Sequence, residues 1–437
     1  MRKSCWLIIL LMLASGCMRE PSPRKEDVIT ILWAQWPLAD ALQRLSEGFT
    51  RETGIRVVVR QEPWGSFFDA FFRRVHGDSL QYDLVAGDSQ WRGLGVREGL
   101  YTELTNWIKH NGVDRQMASA AMTGYAEYPI GSGRYWAVPL MGDALGFAYR
   151  KDLFESPEEK AAFAARYGYG LAVPNTWEQL RDIADFFNRP QSGLYGVTVW
   201  GRPVYDSIAM GAEAFIWAYG GDIGDQRSYH VKGILDTSAS NRGLEMYKKI
   251  HDLGPGDTIP SYLEVNDAFK QGKVAMVMNF FSFLSELADP NSNPYAGTTG
   301  YFAFPAGPKA RVTSLGGQGL SLVSASQKKE QSLRFLSWFV RKDVQQEWVR
   351  LGGFSCDRSV LGSPELLAAK PYHAALSESM QMMRDFWVVP EYVSLLDIAQ
   401  KHWYRYLSSA QLTAGQVNAA IAKEWEQIFE MAGYYKE

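Results

Sequence analysis

Residues 28–88 alternate three short apolar runs with two amphipathic stripes, and this alternation restricts the fold more than any other feature of the chain. Residues 28–33 read as a buried strand. Leu38, Leu42, Leu45 and Phe49 then recur at helical spacing until Gly54 supplies a stop. Residues 55–59 form a second β-branched run. Phe67, Phe68, Phe71, Phe72 and Val75 mark one face of a second helix, and residues 83–87 make a third strand. Strand, helix, strand, helix, strand demands right-handed crossovers and a parallel sheet, so the expected class is α/β. Such sheets take ligands outside the carboxyl ends of their strands. Those ends carry Trp33 and Trp36, Glu62 and Trp64, and Asp88 and Trp91.

A second α/β region follows. Thr176 and Gln179 have the spacing of a capping box, ahead of an apolar face of Leu180, Ile183, Ala184 and Phe187. Residues 195–200, 274–278 and 301–304 read as strands and 210–219 as a helix stopped by Gly220-Gly221. Beyond Gln331 the pattern is mostly helical. At roughly 150 residues per domain, 437 residues suggest two to three domains. A net charge of −3 gives no electrostatic footprint for nucleic acid. The sequence has no nucleophile elbow, phosphate loop or dinucleotide fingerprint, and its six His lack zinc spacing. Nothing marks two carboxylates as a glycoside-cleaving pair. No catalytic residue, cofactor or metal is therefore expected.

Arg2 and Lys3, the apolar run 6–13 and Ala14-Ser15-Gly16 order themselves as an export signal, too short for a permanent span. Small residues directly before Cys17 resemble the bacterial lipoprotein signal. That resemblance implies a signal peptide over 1–16, lipid on Cys17 and a tether over 17–26. Cys5 would leave with the signal, so Cys356 would remain without a disulfide partner. The protein is expected outside the cytoplasm, anchored by lipid to a bacterial membrane and otherwise monomeric.

Ten further segments occur in one order. They include Tyr82-Asp83-Leu84-Val85-Ala86-Gly87-Asp88, Tyr135-Trp136-Ala137-Val138-Pro139 and Ala148-Tyr149-Arg150-Lys151-Asp152-Leu153-Phe154. Gly220-Gly221-Asp222, Gly272-Lys273-Val274-Ala275-Met276, Phe304-Pro305-Ala306-Gly307-Pro308 and Gly316-Gly317-Gln318-Gly319 follow. Together they resemble the carbohydrate-binding extracellular solute-binding proteins of bacterial ABC importers, the group that includes maltose-binding protein. The resemblance implies a type II periplasmic-binding fold, with two α/β lobes, a hinge and a ligand cleft between them. It places the first lobe at 27–139 plus 303–322 and the second at 140–302 plus 323–437. It also implies an oligosaccharide or glycoside as ligand, and an ABC permease with a separate ATPase as partners.

Sugars offer apolar C–H faces to aromatic rings and a hydroxyl rim to carboxylates, amides and Arg. By alignment with the family's ligand loops, Asp88, Trp91 and Asp143 are candidate contacts. Trp33, Trp36, Glu62 and Trp64 join them from the strand ends. In the second lobe Asn279 and Phe281 follow a strand, but Ser282 stands where relatives carry a Trp, so Trp200, Arg202, Tyr205 and Trp387 are the substitutes. Gly316, Gly317 and Gln318 suggest close backbone approach to a ligand or a hinge turn. A Trp and Asp cleft would also suit a cation such as a polyamine, whereas Arg202 in the cleft would favour a sugar. A third reading is an anchored sensor uncoupled from transport.

Overall fold

The three apolar runs pair as their alternation demands. The computed structural model describes residues 27–74, 82–256 and 262–435, so Cys17 and the tether lie outside the described residues. Strand β1 (Val28–Ala34) pairs in parallel with β2 (Arg56–Glu62) and β3 (Leu84–Asp88). Helices α1 (Pro37–Thr53) and α2 (Trp64–Arg74) make the crossovers. Helix α1 stops where the sequence suggests, at Gly54. Its φ of 73° is left-handed, and its N–H returns to the Thr50 carbonyl. Strand β2 forms an edge of the sheet. There the Gln43 side chain from α1 donates to the Val57 carbonyl at 3.0 Å and accepts the Val59 N–H at 2.7 Å.

The remaining strands are β4 (Val138–Arg150), β5 (Tyr195–Thr198), β6 (Val274–Phe280), β7 (Thr299–Ala303), β8 (Thr313–Leu322) and β9 (Met383–Arg384). The path runs β2-β1-β3-β8-β4-β6-β5, with β7 beside β4 and β9 beside β8. The 13-residue β4 joins the two halves. Up to Ala144 it pairs antiparallel with β8; from Leu145 onward it pairs with β6 and β7. One continuous strand therefore runs through both lobes, which meet where its partners change. The result is the two-lobed type II periplasmic-binding fold.

In the second lobe, α3 (Trp177–Phe187) starts from the expected capping box, with both the Thr176 and Gln179 bonds formed. Trp177 stacks on Phe215 of α4 (Ser207–Ala218) at 3.9 Å, and every residue of α4 is buried. The C-terminal helices divide. Helices α5 (Lys329–Phe339) and α6 (Lys342–Arg350) lie on α1, with Phe335 and Trp338 rings 5.2 and 5.6 Å from Phe49. Glu52 of α1 accepts from Trp338 at 3.0 Å and from Arg341 at 2.6 Å. Residues 329–350, assigned by resemblance to the second lobe, thus cover the apolar face of α1 in the first. Helix α7 (Tyr392–Leu407) packs on α4.

Candidate functional site

Two carboxylates face each other across the lobes, and each is held by a donor from the opposite lobe. Asp88 ends β3 opposite Gln318 of β8. The buried Trp33 donates its indole N–H to Gln318 Oε1, which turns the Gln318 amide so that Nε2 donates to Asp88 Oδ1 at 2.6 Å. The other oxygen of Asp88 accepts the hydroxyl of Tyr205, from the turn before α4. In the reverse direction, Gln90 Nε2 donates to Asp206 Oδ2 at 3.0 Å, and the Tyr262 hydroxyl donates to Asp206 Oδ1.

Rings surround this pair. Trp36 lies 5.3 Å from Trp64 and 6.5 Å from Phe283. Trp64 lies 6.1 Å from Tyr205, and Tyr262 lies 5.3 Å from Phe283. The collar thus takes two rings from the first lobe and three from the second. The indole nitrogen of Trp36 is buried without a partner.

The turn carrying Tyr205 and Asp206 is unusual. Tyr205 has φ 53°, a left-handed conformation that costs a non-glycine residue of order 1–3 kcal/mol. Gln400 of α7 holds it. Its Nε2 donates to the Tyr205 carbonyl, and its Oε1 accepts the Ile208 and Ala209 N–H groups at 2.9 and 3.3 Å. These are orphan donors at the start of α4, so an amide from another helix does the capping. The Asp206 side chain, which occupies the N-cap position without capping, is left for the cleft.

Burial dominates the electrostatics. It pushes Asp88 up to about 7, against the hydrogen bonds from Tyr205 and Gln318 that favour the carboxylate. Burial likewise raises Asp206, despite the bonds from Tyr262 and Gln90. Asp385, on the segment after β9, is raised to about 6 by burial, opposed by a hydrogen bond from Ser89 and the nearby Arg92 charge. Burial holds Glu213 of α4 well above the usual carboxylate range, with Asp385 and Asp206 adding to it. Among the described residues no group of three His, Cys, Asp or Glu could hold a metal ion.

Of the residues singled out in the sequence, Trp36, Trp64, Asp88, Tyr205 and Gln318 come together here. Glu62 ends β2 partly buried, and Arg202 is exposed on the loop before Tyr205. Others pack in the core. Trp91 is 3% exposed and wedged among Phe67, Phe68 and Phe72, filling the space beneath α2. Trp200 is enclosed by Tyr262 and Phe280, and Trp387 by Trp425 and Phe429. Phe281 closes over Gly146, where a Cβ would meet its ring at 2.3 Å. Asn279 is wholly buried and spends its amide on the Tyr262 carbonyl and Asn266 Oδ1, at 2.6 and 3.1 Å. Asp143 sits where β4 changes partners and accepts the Ala144 and Ser282 N–H groups, the latter at 3.2 Å; burial raises it to about 7. Gly317 has φ 92° and leaves 2.4 Å between a hypothetical Cβ and the Met141 carbonyl, so it serves a strand crossing. Tyr125 donates to the neighbouring Gly316 carbonyl. Gln90, Asp206, Tyr262, Phe283 and Gln400 were not anticipated. No local pattern marks them, although Asp206 immediately follows a residue that was.

Two α/β lobes sharing a strand, with polar groups and rings from both meeting in one cleft, define a solute-binding protein. The chain belongs to the family of bacterial extracellular solute-binding proteins, whose family profile matches residues 35–346. A solute-binding protein from Agrobacterium radiobacter K84, solved with ribitol, superposes with a TM-score of 0.77 at 24% identity, covering 93% of this chain and all of that one. The maltose-bound MalE3 of T. maritima gives 0.75 at 21% identity, covering 92% and 99%. The erythritol/L-threitol-binding protein of Mycolicibacterium smegmatis is 21% identical over 349 residues, 76% of this chain and 70% of its own length. Among the described residues no helix is long and apolar enough to cross a membrane.

Proposed function

We propose that this protein captures a small polyhydroxylated solute, a sugar alcohol or short sugar, between its lobes and delivers it to an ABC permease with a separate ATPase. The observation that carries the reading is the reciprocal carboxylate pair inside an aromatic collar. Closure brings hydroxyl-binding acids and amides from both lobes against the same few ångströms, and rings are present to cover C–H faces. Trp36 Nε1 is a donor suited to a ligand hydroxyl. The collar's rings contact one another across the lobes, with centroids 6.1 and 6.5 Å apart, so they must part to admit a solute. Relatives named for ribitol and for erythritol or threitol support a short ligand rather than the oligosaccharide first expected. Lipid on Cys17 would keep the protein beside its permease, as a single copy per ligand.

The test is thermal unfolding of the mature chain, produced without lipid, against ribitol, erythritol, mannitol, glucose and maltose. A ligand at about 100 times its dissociation constant stabilises by about 2.7 kcal/mol. A rise with one or more of the polyols or short sugars is expected. A flat response to every compound by a folded sample would overturn the reading.

A further inference from the structure

Four buried acids gather at and behind the cleft, more than a neutral polyol can answer. Asp88 and Asp206 line it directly. Asp385 bonds to Ser89, the neighbour of Asp88, and Glu213 follows Asp206 by seven residues, two turns along the same face of α4. The cations nearby act from behind the cleft, Arg92 on Asp385 and Arg384 on Glu213, and among the described residues none is seen bonded to Asp88 or Asp206. Arg92 is buried with its guanidinium spent on the Glu127 and Gly124 carbonyls, both at 2.8 Å. Arg384 pairs with Asp222 at 2.9 Å and lies over the Trp217 ring. Arg202 is on the exposed side of the turn.

The unsatisfied atoms point the same way. Gln90 Oε1, Asp385 Oδ2 and both Glu213 oxygens are buried without hydrogen-bond partners, and the Tyr392 hydroxyl beside them is also unpartnered. Gln90 is 5% exposed and Glu213 wholly buried, and the Gln90 amide is fixed to Asp206, which keeps its carbonyl oxygen in the site. Glu213, held protonated by burial, supplies a donor of its own, and Gln90 Oε1 and Asp385 Oδ2 are the acceptors that call for donors. A hydroxyl brings one donor together with lone pairs; an ammonium brings three donors and no acceptor. The faces of Trp64, Tyr205 and Tyr262 suit such a cation as well.

We infer that the solute carries a protonated amine beside its hydroxyls, as an amino sugar or amino-polyol does, with the amine seated between Asp88 and Asp206. This rests on the carbohydrate reading above. Calorimetry at pH 7 and low salt on the mature chain compares glucamine with sorbitol, glucosamine with glucose, and putrescine as an amine without hydroxyls. Glucamine or glucosamine should bind at least tenfold more tightly than its neutral counterpart. Asp385→Asn, which removes a charge behind the cleft, should shrink that ratio several-fold. Equal or tighter binding of the neutral compounds overturns the amine and leaves carbohydrate capture standing. Putrescine binding as tightly as glucamine overturns the hydroxylated half; no binding by any of the five while a polyol above still stabilises the fold overturns the amine alone, and no response in either experiment overturns both readings.

Discussion

Asp88→Asn isolates the cost of holding a carboxylate in the closed cleft. The substitution preserves shape and leaves the bonds satisfiable: the Asn oxygen can take the Gln318 amide, and its NH₂ can donate to the Tyr205 hydroxyl, which rotates to accept. Only the charge is lost. In the folded protein Asp88 is lifted from 3.8 to about 7, mainly by burial. At about 1.36 kcal/mol per tenfold change in proton affinity, ionising it costs of the order of 4 kcal/mol. The folded form therefore holds a proton that the unfolded chain has released between about pH 4 and 7. Stability accordingly falls as pH rises through that window and levels off above it. At about 2.1 cal/mol/K per residue over roughly 400 folded residues, 4 kcal/mol corresponds to about 5 °C in Tm. Melting curves at pH 5, 6, 7 and 8, without ligand, should show wild type losing several degrees from pH 5 to 8. Asp88→Asn should lose clearly less, keeping only the slope from other raised acids such as Asp143 and Asp385. Identical slopes for the two proteins, or wild type gaining stability from pH 5 to 7, would refute the reasoning.

Two other substitutions probe the scaffold. Gln400→Ala leaves the Ile208 and Ala209 N–H groups and the Tyr205 carbonyl without their partner, and should cost about 1–3 kcal/mol. Released from its left-handed turn, Tyr205 should also hold ligand less well, so Tm and ligand affinity drop together in denaturation and calorimetry. Trp177→Ala empties a wholly buried site between Phe215, Phe147 and Phe304. It should cost about 3–5 kcal/mol in urea unfolding while ligand affinity in the surviving folded fraction stays near wild type.

The sequence reveals elements whose patterning is local. Strands β1 to β3 and their crossovers show in the alternation of residues 28–88, and α3 shows in its capping box. Strands β4 and β8 are hidden because glycines interrupt their apolar pattern: Gly142 and Gly146 in one, Gly316, Gly317 and Gly319 in the other. Those glycines exist for tertiary reasons, since a Cβ at Gly319 would lie 2.3 Å from the Tyr125 carbonyl. The site divides in the same way. Asp88, Trp36 and Trp64 are legible because a parallel sheet directs ligands to its strand ends. Asp206 and Tyr262 become site residues only when the second lobe meets the first, and Gln400 acts on Ile208 from 192 residues away. Trp91, Trp200 and Trp387 mislead because a large ring serves core and cleft equally well, and only packing decides.

The amide of Gln43 has a consequence for crowding. It answers the Val57 carbonyl and the Val59 N–H, alternate groups on the outer side of β2, in the way one residue of an added parallel strand would. The sheet is thereby terminated by a counterfeit partner drawn from its own first helix. A second molecule offering an edge finds those sites taken and must first displace a side chain tethered to α1. Wherever copies of this protein crowd together, that substitution of one glutamine for a strand keeps neighbouring copies from knitting into a shared sheet.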